Sequence, residues 1–147
     1  MSNWCWAAVA SSVSEYYAQF YENGAFWTQR KLVQAVFNNQ NCTNQPQICN
    51  KPYSLANVLQ RMRHLGQETS TVSLTSLQKE LDELRPVCCQ VKYNNGLTHF
   101  VALYGYDDDD LLIADPEIGY HLIDYHKFKD NYRGGNWIRT FATKPKT

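Results

Sequence analysis

The pattern of apolar residues changes at Pro86, and this change limits the folds that the chain can adopt. Before Pro86, apolar residues recur with the spacing of amphipathic helices. After it, they occur in short runs separated by turn residues. Helices that precede a set of antiparallel strands are typical of the α+β class. We therefore predict an α+β fold with an N-terminal helical half packed on a C-terminal antiparallel sheet.

Four helices are predicted before Pro86 from apolar spacing and capping residues. They are residues 5–22, residues 29–37, a helix that follows Ser54, and a helix that follows Thr75. Thr28, Ser54 and Thr75 are the predicted N-caps, since hydroxyl side chains accept hydrogen bonds from first-turn N–H groups. The predicted helix stops are Asn23-Gly24 and Gly66. Residues 38–53, rich in Asn, Gln and Pro, are predicted to be a loop.

Five strands are predicted after Pro86. They are residues 86–93, 98–106, 111–115, 119–123 and 136–142. Residues 94–96 are predicted to form a turn between the first two strands, and the acidic residues 107–110 a tight turn before the third. Residues 125–130 are predicted to be a turn or a short helix.

Length and charge narrow the classes of protein. A chain of 147 residues suits one domain, residues 1–147. Lys plus Arg number 14, as do Asp plus Glu, so the net charge is zero and neither a nucleic acid nor a membrane is expected as a partner. No apolar run approaches the roughly 20 residues of a membrane span. The first residues also lack the pattern of a signal peptide.

Five cysteines are present: Cys5, Cys42, Cys49, Cys88 and Cys89. Because five is odd, at least one is unpaired or pairs with another chain. Cys42 and Cys49 lie in the polar loop and are able to close a short disulfide, which would favour an oxidising compartment. Cys88 and Cys89 are adjacent on a predicted strand and point to opposite faces. We therefore interpret them as small buried apolar residues.

The segment Asn3-Trp4-Cys5-Trp6-Ala7-Ala8 places a cysteine where the first predicted helix begins. Unpaired backbone N–H groups and the helix dipole favour negative charge at a helix start, and the thiolate is the nucleophilic form of cysteine. The small residues after Trp6 allow another segment to approach closely. Cys5 is therefore the candidate nucleophile, and the alternative is a cysteine buried among aromatic side chains in a core.

A nucleophilic cysteine needs a base, and the histidines available are His64, His99, His121 and His126. His64 lies in a charged run and is predicted to be a solvated helix end. His99 opens the strand 98–106 directly after a turn, a position that often faces a cleft. His99 is therefore the candidate base, and the alternative is a histidine packed at the end of a sheet.

The third member of such a site is a carboxylate or amide that orients the imidazole and stabilises its charged form. The strand that follows His99 ends at Asp115, before Pro116. If the two strands pair through the acidic turn, His99 and Asp115 are predicted to lie roughly opposite each other, within cross-strand reach. The alternative for Asp115 is a turn-forming residue before proline.

Together these residues resemble the papain-like cysteine proteases. The similarity rests on Trp4-Cys5-Trp6-Ala7-Ala8 at a helix start, followed in order by residues 98–101, 105–107 and 114–116. The resemblance is to the small bacterial branch that includes secreted effector proteases, and it spans nearly the whole chain. It implies a papain-like fold in which Cys5 is the nucleophile, His99 the base and Asp115 the orienting carboxylate.

The resemblance implies a cysteine-type peptidase that acts on a protein or peptide substrate through a thioester, with no cofactor and no metal. The same triad serves related thiol amidases and transamidases, such as cell-wall peptide hydrolases and deamidases. A catalytically silent binding module is the alternative from another class. The acidic residues 107–110 lack the ligand spacing of a calcium loop and are predicted to be a solvated turn. The effector-like resemblance favours secretion, or delivery into another cell.

One feature departs from the family pattern. The family places a glutamine a few residues before the nucleophile, where its side chain donates to the oxyanion. The four residues that precede Cys5 contain no glutamine. The main-chain N–H of Cys5 is expected to supply one donor, and Asn3 is a candidate for the other. The missing glutamine is the main argument for a truncated, processed, impaired or silent protein.

The disulfide between Cys42 and Cys49 is testable by mass. We expect the oxidised chain to gain the mass of two hydrogen atoms when it is treated with reductant, because reduction of one disulfide adds two protons and two electrons. Intact-mass spectrometry with and without reductant measures this change. An unchanged mass would remove the argument for an oxidising compartment.

Overall fold

The computed structural model describes residues 3–21 and 26–146 and divides into two compact units. The first unit comprises Met1–His64 and Pro145–Thr147, and its described secondary structure is helical. The second unit comprises Leu65–Lys144 and contains an antiparallel sheet with helices. The combination confirms the predicted α+β class. That residues 1–147 form a single domain stays a prediction.

Three longer helices form the first unit: α1 (Cys5–Tyr21), α2 (Gln29–Phe37) and α4 (Leu55–Arg61). Two predicted caps are confirmed, because the Thr28 hydroxyl accepts from the Lys31 N–H and the Ser54 hydroxyl accepts from the Asn57 N–H. The predicted end of the first helix at residue 22 and its Asn23-Gly24 stop lie outside the described residues.

The predicted loop 38–53 contains secondary structure that sequence patterns did not indicate. A short helix, α3 (Asn41–Asn44), is followed by a 3₁₀ turn over Pro46–Cys49. A disulfide joins Cys42 to Cys49 across this segment, with the two Cα atoms 5.5 Å apart. Both cysteines are buried, so the cross-link lies inside the unit and holds the polar segment in compact turns.

Two predictions about the segment after α4 are wrong. His64 was predicted to be a solvated helix end, but it is buried and stacks on the Tyr17 ring with 4.7 Å between ring centroids. Gly66 was predicted to stop the helix. Instead α4 ends at Arg61, Arg63 adopts a left-handed φ of 66°, and Gly66 lies within a strand. The left-handed turn at Arg63 breaks the helix before the apolar pattern ends.

The second unit contains a six-stranded sheet in which each neighbouring pair of strands is antiparallel. The strands are β1 (Leu65–Thr69), β2 (Val87–Tyr93), β3 (Thr98–Asp107), β4 (Asp110–Asp115), β5 (Gly119–Asp124) and β6 (Gly135–Thr143). Their order across the sheet is β1-β6-β2-β3-β4-β5. The five predicted strands are present, with no end shifted by more than one residue. The strand β1 was missed, because Leu65 is its only large apolar residue.

Two helices cover the sheet: α5 (Leu74–Asp82) and α6 (Tyr125–Asp130). The N-cap of α5 is Ser73, whose hydroxyl accepts from the Ser76 N–H, so the predicted cap at Thr75 is wrong. Asp124 caps α6 by accepting from two first-turn N–H groups. The core between helices and sheet consists of buried side chains from both, including Leu77, Leu81, Cys89, Val101, Leu103, Ile113, Phe128, Tyr132 and Trp137.

The start of β6 is closely packed, and we expect Gly135→Ala to destabilise the protein. A Cβ atom at Gly135 would lie 2.5 Å from Cγ1 of Val91 and 2.8 Å from Cδ1 of Tyr93. Overpacking of this kind typically costs about 1–3 kcal/mol. Gly96→Ala is the control, because a Cβ atom at Gly96 would meet nothing within 4 Å. Its expected cost of about 1 kcal/mol comes only from placing alanine at the left-handed φ of 86°. Urea unfolding measures both; equal losses would contradict the packing argument.

Candidate active site

Cys5 is the first residue of α1 and is partly exposed. The carbonyl oxygen of Trp4 accepts the first hydrogen bond of the helix, from the Ala8 N–H at 2.8 Å. First-turn N–H groups have no partner within a helix, so they favour negative charge beside the Cys5 side chain. The predicted position of Cys5 at a helix start is therefore confirmed, while its catalytic role stays a prediction.

Two tryptophans hold the Cys5 segment to the disulfide-linked loop of the first unit. The indole N–H of Trp4 donates to the carbonyl oxygen of Cys49, and that of Trp6 donates to the carbonyl oxygen of Lys51, both at 2.9 Å. Both tryptophans are buried. Since Cys49 is cross-linked to Cys42, the residues on either side of Cys5 are attached to a covalently restrained segment.

Asn3, the candidate for an oxyanion donor, also bonds to this loop. Its backbone N–H donates to the side-chain oxygen of Asn50 at 2.9 Å, and its side-chain amide donates to the carbonyl oxygen of Asn50 at 3.0 Å. An amide group carries two N–H bonds. One of the two in Asn3 is therefore occupied by Asn50.

His99 is the second residue of β3, where it pairs with Val91 of β2. Its side chain is buried, and its Nε2 atom lies 2.8 Å from Oδ1 of Asp115. Asp115 is the last residue of β4 and is also buried. The two side chains that the sequence analysis paired thus form a hydrogen bond within the second unit.

The register of β3 and β4 places His99 and Asp115 diagonally across from each other. The strands pair Ala102 with Ala114, after an irregularity between Leu103 and Gly105. Continued from Ala114, this ladder places Asp115 across from residue 101 rather than from His99. The two side chains meet diagonally, two residues out of register, on the same face of the sheet. The prediction that His99 and Asp115 lie roughly opposite each other, within cross-strand reach, is confirmed.

Both oxygens of the buried Asp115 carboxylate are hydrogen-bonded. Oδ1 accepts from His99 and from the Glu117 backbone N–H at 2.8 Å. Oδ2 accepts from the Tyr132 hydroxyl at 2.6 Å and faces an Arg133 guanidinium nitrogen at 3.5 Å. Burial raises the pKa of Asp115, but the hydrogen bonds from His99, Tyr132 and Glu117 outweigh it and hold that pKa well below its usual value. Asp115 is therefore ionised.

The ionised carboxylate determines where the protons of the neutral His99 ring lie. A carboxylate only accepts hydrogen bonds, so Nε2 carries the proton that points at Asp115. In the neutral ring, Nδ1 is then the nitrogen that can accept a proton. Nδ1 lies 3.8 Å from Oε1 of Glu117, whose carboxylate is paired with Arg133 at 3.1 Å.

Sequence reasoning missed Tyr132, Glu117 and Arg133. Each contacts His99 or Asp115 from a turn that follows a strand or helix. No local signal marks them, because their role depends on which turns meet beside the end of β4. The sequence Arg133-Gly134-Gly135 does indicate a turn, and this turn holds Tyr132.

The two other free cysteines differ sharply from Cys5. Cys88 and Cys89 are fully buried in β2, which confirms their interpretation as apolar core residues. Burial raises the pKa of both thiols, so they stay protonated at neutral pH.

Within residues 3–21 and 26–146, no three His, Cys, Asp or Glu side chains are grouped as metal ligands. The helices described there are too short or too polar to cross a membrane.

A family comparison covers most of the chain. Residues 1–140 match the sequence model of the Peptidase_C39 like family. Comparison with curated proteins finds no match.

Two solved structures described as peptidases have a similar fold. The peptidase domain of Streptococcus ComA, a bi-functional ABC transporter involved in a quorum-sensing pathway, is 18% identical, with a TM-score of 0.61 over 97% of this chain and 93% of that one. A C39-like peptidase from Bacillus anthracis is 16% identical, with a TM-score of 0.62 over 98% and 90% of the two chains. The papain-like fold is confirmed, while membership of an effector-type branch stays a prediction.

The lowered pKa of Asp115 makes its contribution to stability depend on pH. Because this pKa is lower in the folded chain than in the unfolded chain, the contribution is complete above the unfolded value of about 3.9 and is lost as pH falls further. We expect Asp115→Asn to lower the free energy of unfolding by about 1.5–3 kcal/mol at pH 7. The difference from wild type should narrow below pH ~4.

Urea unfolding between pH 3 and pH 7 measures this difference. Asp109→Asn, which removes an exposed carboxylate from the acidic turn, is the matched control and should show little change at any pH. A gap between wild type and Asp115→Asn that stays constant across this range would contradict the assignment of a buried, ionised Asp115.

Proposed function

The chain belongs to the Peptidase_C39 like family, and we propose that it is a cysteine peptidase that cleaves peptide bonds with Cys5, His99 and Asp115 as its triad. The observation that carries this proposal is the buried hydrogen bond of 2.8 Å between His99 Nε2 and Asp115 Oδ1. A histidine held by an ionised carboxylate is the base that a nucleophilic thiol requires. The substrate is a protein or peptide.

The first step is proton transfer from the Cys5 thiol to His99. Because Nε2 already donates to Asp115, the proton is accepted by Nδ1. The resulting imidazolium is stabilised by the Asp115 charge on its other side, and the thiolate becomes the nucleophile. Glu117, at 3.8 Å from Nδ1, adds a second negative charge near the imidazolium.

The second step is attack of the thiolate on a peptide carbonyl carbon. A C–S bond forms and the carbonyl π electrons move to the oxygen, giving an oxyanion. As the oxyanion collapses, the C–N bond breaks, and the Nδ1 proton passes to the leaving amine. Water then attacks the thioester, with His99 as its base, releasing the acid and restoring the thiol.

The oxyanion is stabilised in this proposal by the main-chain N–H of Cys5 and by the second N–H bond of the Asn3 amide. Asn50 accepts one N–H bond of the Asn3 side chain, so the Asn3 amide offers the oxyanion its other N–H bond. Loss of one oxyanion donor costs about 10²–10³ in kcat in a well-studied hydrolase.

Secretion is part of the proposal, and its support is the disulfide between Cys42 and Cys49. Disulfides persist in oxidising compartments and are rare in the reducing cytosol. The loop that this bond restrains also holds Trp4 and Trp6 beside Cys5. An oxidising environment would therefore preserve the placement of the nucleophile.

The test of the proposal is selective loss of Cys5. We expect Cys5→Ala to abolish cleavage of a peptide library, because no other described thiol is both unpaired and exposed to solvent. Cys88→Ala is the matched control and should retain activity, provided that its fold is intact. Liquid chromatography with mass spectrometry of the cleaved peptides measures both.

Labelling with iodoacetamide gives a second measurement that does not need a substrate. In the folded protein we expect Cys5 to be alkylated quickly at neutral pH, while the buried Cys88 and Cys89 stay unmodified. Cleavage that persists in Cys5→Ala contradicts the proposal. Ordinary slow labelling with no cleavage by wild type would favour the silent binding module.

A further inference from the structure

Tyr132 holds the oxygen of Asp115 that His99 does not contact. Its hydroxyl lies 2.6 Å from Oδ2, and both side chains are buried. We propose that Tyr132 is a positioning residue of the active site, which keeps the Asp115 carboxylate in the orientation that directs the His99 ring. This inference rests on the proposed function, because it assigns Tyr132 a part in the same reaction.

The direction of the hydrogen bond follows from charge. Burial, followed by the hydrogen bond to Asp115, raises the pKa of Tyr132 above its usual value, so the phenol stays protonated. The ionised carboxylate is only an acceptor, so the hydroxyl donates. A donor on a charged acceptor forms one of the stronger hydrogen bonds in proteins. Tyr132 thus restrains Oδ2 while His99 uses Oδ1.

A tight turn holds the backbone of Tyr132 in place. Tyr132 and Gly135 form a β-bridge, with hydrogen bonds of 2.9 and 2.8 Å in the two directions. The two residues between them have φ values of 51° at Arg133 and 86° at Gly134, as in a type I′ turn. The side chain of Asn131 accepts from the Gly134 N–H at 2.9 Å. These hydrogen bonds fix the backbone to which the phenol of Tyr132 is attached.

Ring contacts fix the side chain of Tyr132. The ring stacks on His121 of β5, with 6.0 Å between centroids and an interplanar angle of 12°. It also packs against Phe128 of α6 at 5.2 Å. The His121 Nε2 atom lies 3.4 Å from the hydroxyl, which adds a longer polar contact. These contacts limit the ring to one orientation, with the hydroxyl at Asp115.

The effect of removing the Tyr132 hydroxyl depends on the other charged groups around Asp115. His99 faces Oδ1 from β3, and Arg133 approaches Oδ2 at 3.5 Å, a distance longer than the Tyr132 bond. Glu117 lies beyond His99 and pairs with Arg133. Without the hydroxyl, the contacts of Oδ2 among the described residues are reduced to the long one with Arg133, so the carboxylate can rotate away from His99.

The experiment compares Tyr132→Phe with wild type in the peptide-cleavage assay. We expect kcat to fall about 10- to 100-fold, the factor that corresponds to the strength of one hydrogen bond to a charged group. KM should stay unchanged, because the buried Tyr132 cannot touch a substrate. Tyr125→Phe is the matched control. It removes a tyrosine hydroxyl from the same unit, one that donates to the carbonyl oxygen of Val72 at 2.7 Å and has no contact with Asp115.

A second measurement follows the His99 ring itself and needs no substrate. Long-range ¹H–¹⁵N NMR reports which ring nitrogen carries the proton. We make this measurement in a Cys5→Ala background, where no thiolate can keep the ring doubly protonated. We expect the Nε2–H tautomer in this background and a mixture of tautomers when Tyr132→Phe is added. Circular dichroism verifies that each variant is folded.

The outcomes separate this inference from the proposed function. A fall in kcat with unchanged KM and a mixed tautomer in Tyr132→Phe, both absent in Tyr125→Phe, support the positioning role. A folded Tyr132→Phe with wild-type kcat and the Nε2–H tautomer overturns it, as does an equal loss of kcat in both variants. If wild type shows no Cys5-dependent cleavage, the proposed function fails, and the NMR spectra alone then decide whether Tyr132 positions His99.

Discussion

The geometry of the second unit depends on the hydrogen bonds that the buried Asp115 carboxylate accepts. A carboxylate removed from water is stable only when donors replace the water on both oxygens, since an unsatisfied buried charge costs several kcal/mol. Here those donors come from β3, from the turn after β4 and from the turn before β6. These segments must therefore be in place together before Asp115 can be buried, and two of the donors, His99 and Tyr132, lie 16 and 17 residues from Asp115.

The sheet supplies this arrangement through its strand order. Because β3 and β4 are neighbours, the start of one lies beside the end of the other, which brings His99 to Asp115. The irregularity between Leu103 and Gly105 shifts the ladder and makes the contact diagonal. Tyr132 reaches the same point from the far end of α6, held by a two-residue turn. The orientation of the His99 ring therefore depends on the strand order and on the Tyr132 turn, as well as on the position of His99 in β3.

In the first unit, Cys5 is positioned by contacts of its two neighbouring tryptophans. The segment around Cys5 is held by the indoles of Trp4 and Trp6, which donate to backbone carbonyls of a loop that a disulfide restrains. The polar composition of that loop predicted irregular structure. The cross-link converts it into compact turns with both sulfur atoms buried. These contacts are made by the neighbours of Cys5, and the Cys5 thiol itself stays partly exposed.

Sequence alone determined the features that depend on near neighbours along the chain. The caps at Thr28 and Ser54, the helix start at Cys5, and the turn at Gly96 all follow from local hydrogen bonds and backbone preference. The pairing of His99 with Asp115 was also predictable, because a short turn joins their strands.

Tertiary structure decided what depends on segments far apart in sequence. The strand β1 exists because it pairs with β6, more than 60 residues later, and its own residues carry no strand pattern. His64 is buried because Tyr17 stacks on it, against the local signal of a charged run. Tyr132 meets Asp115 because β5, α6 and a turn between them return the chain to the end of β4. Local patterns encode hydrogen bonds within a few residues, whereas burial and long-range pairing depend on the whole unit.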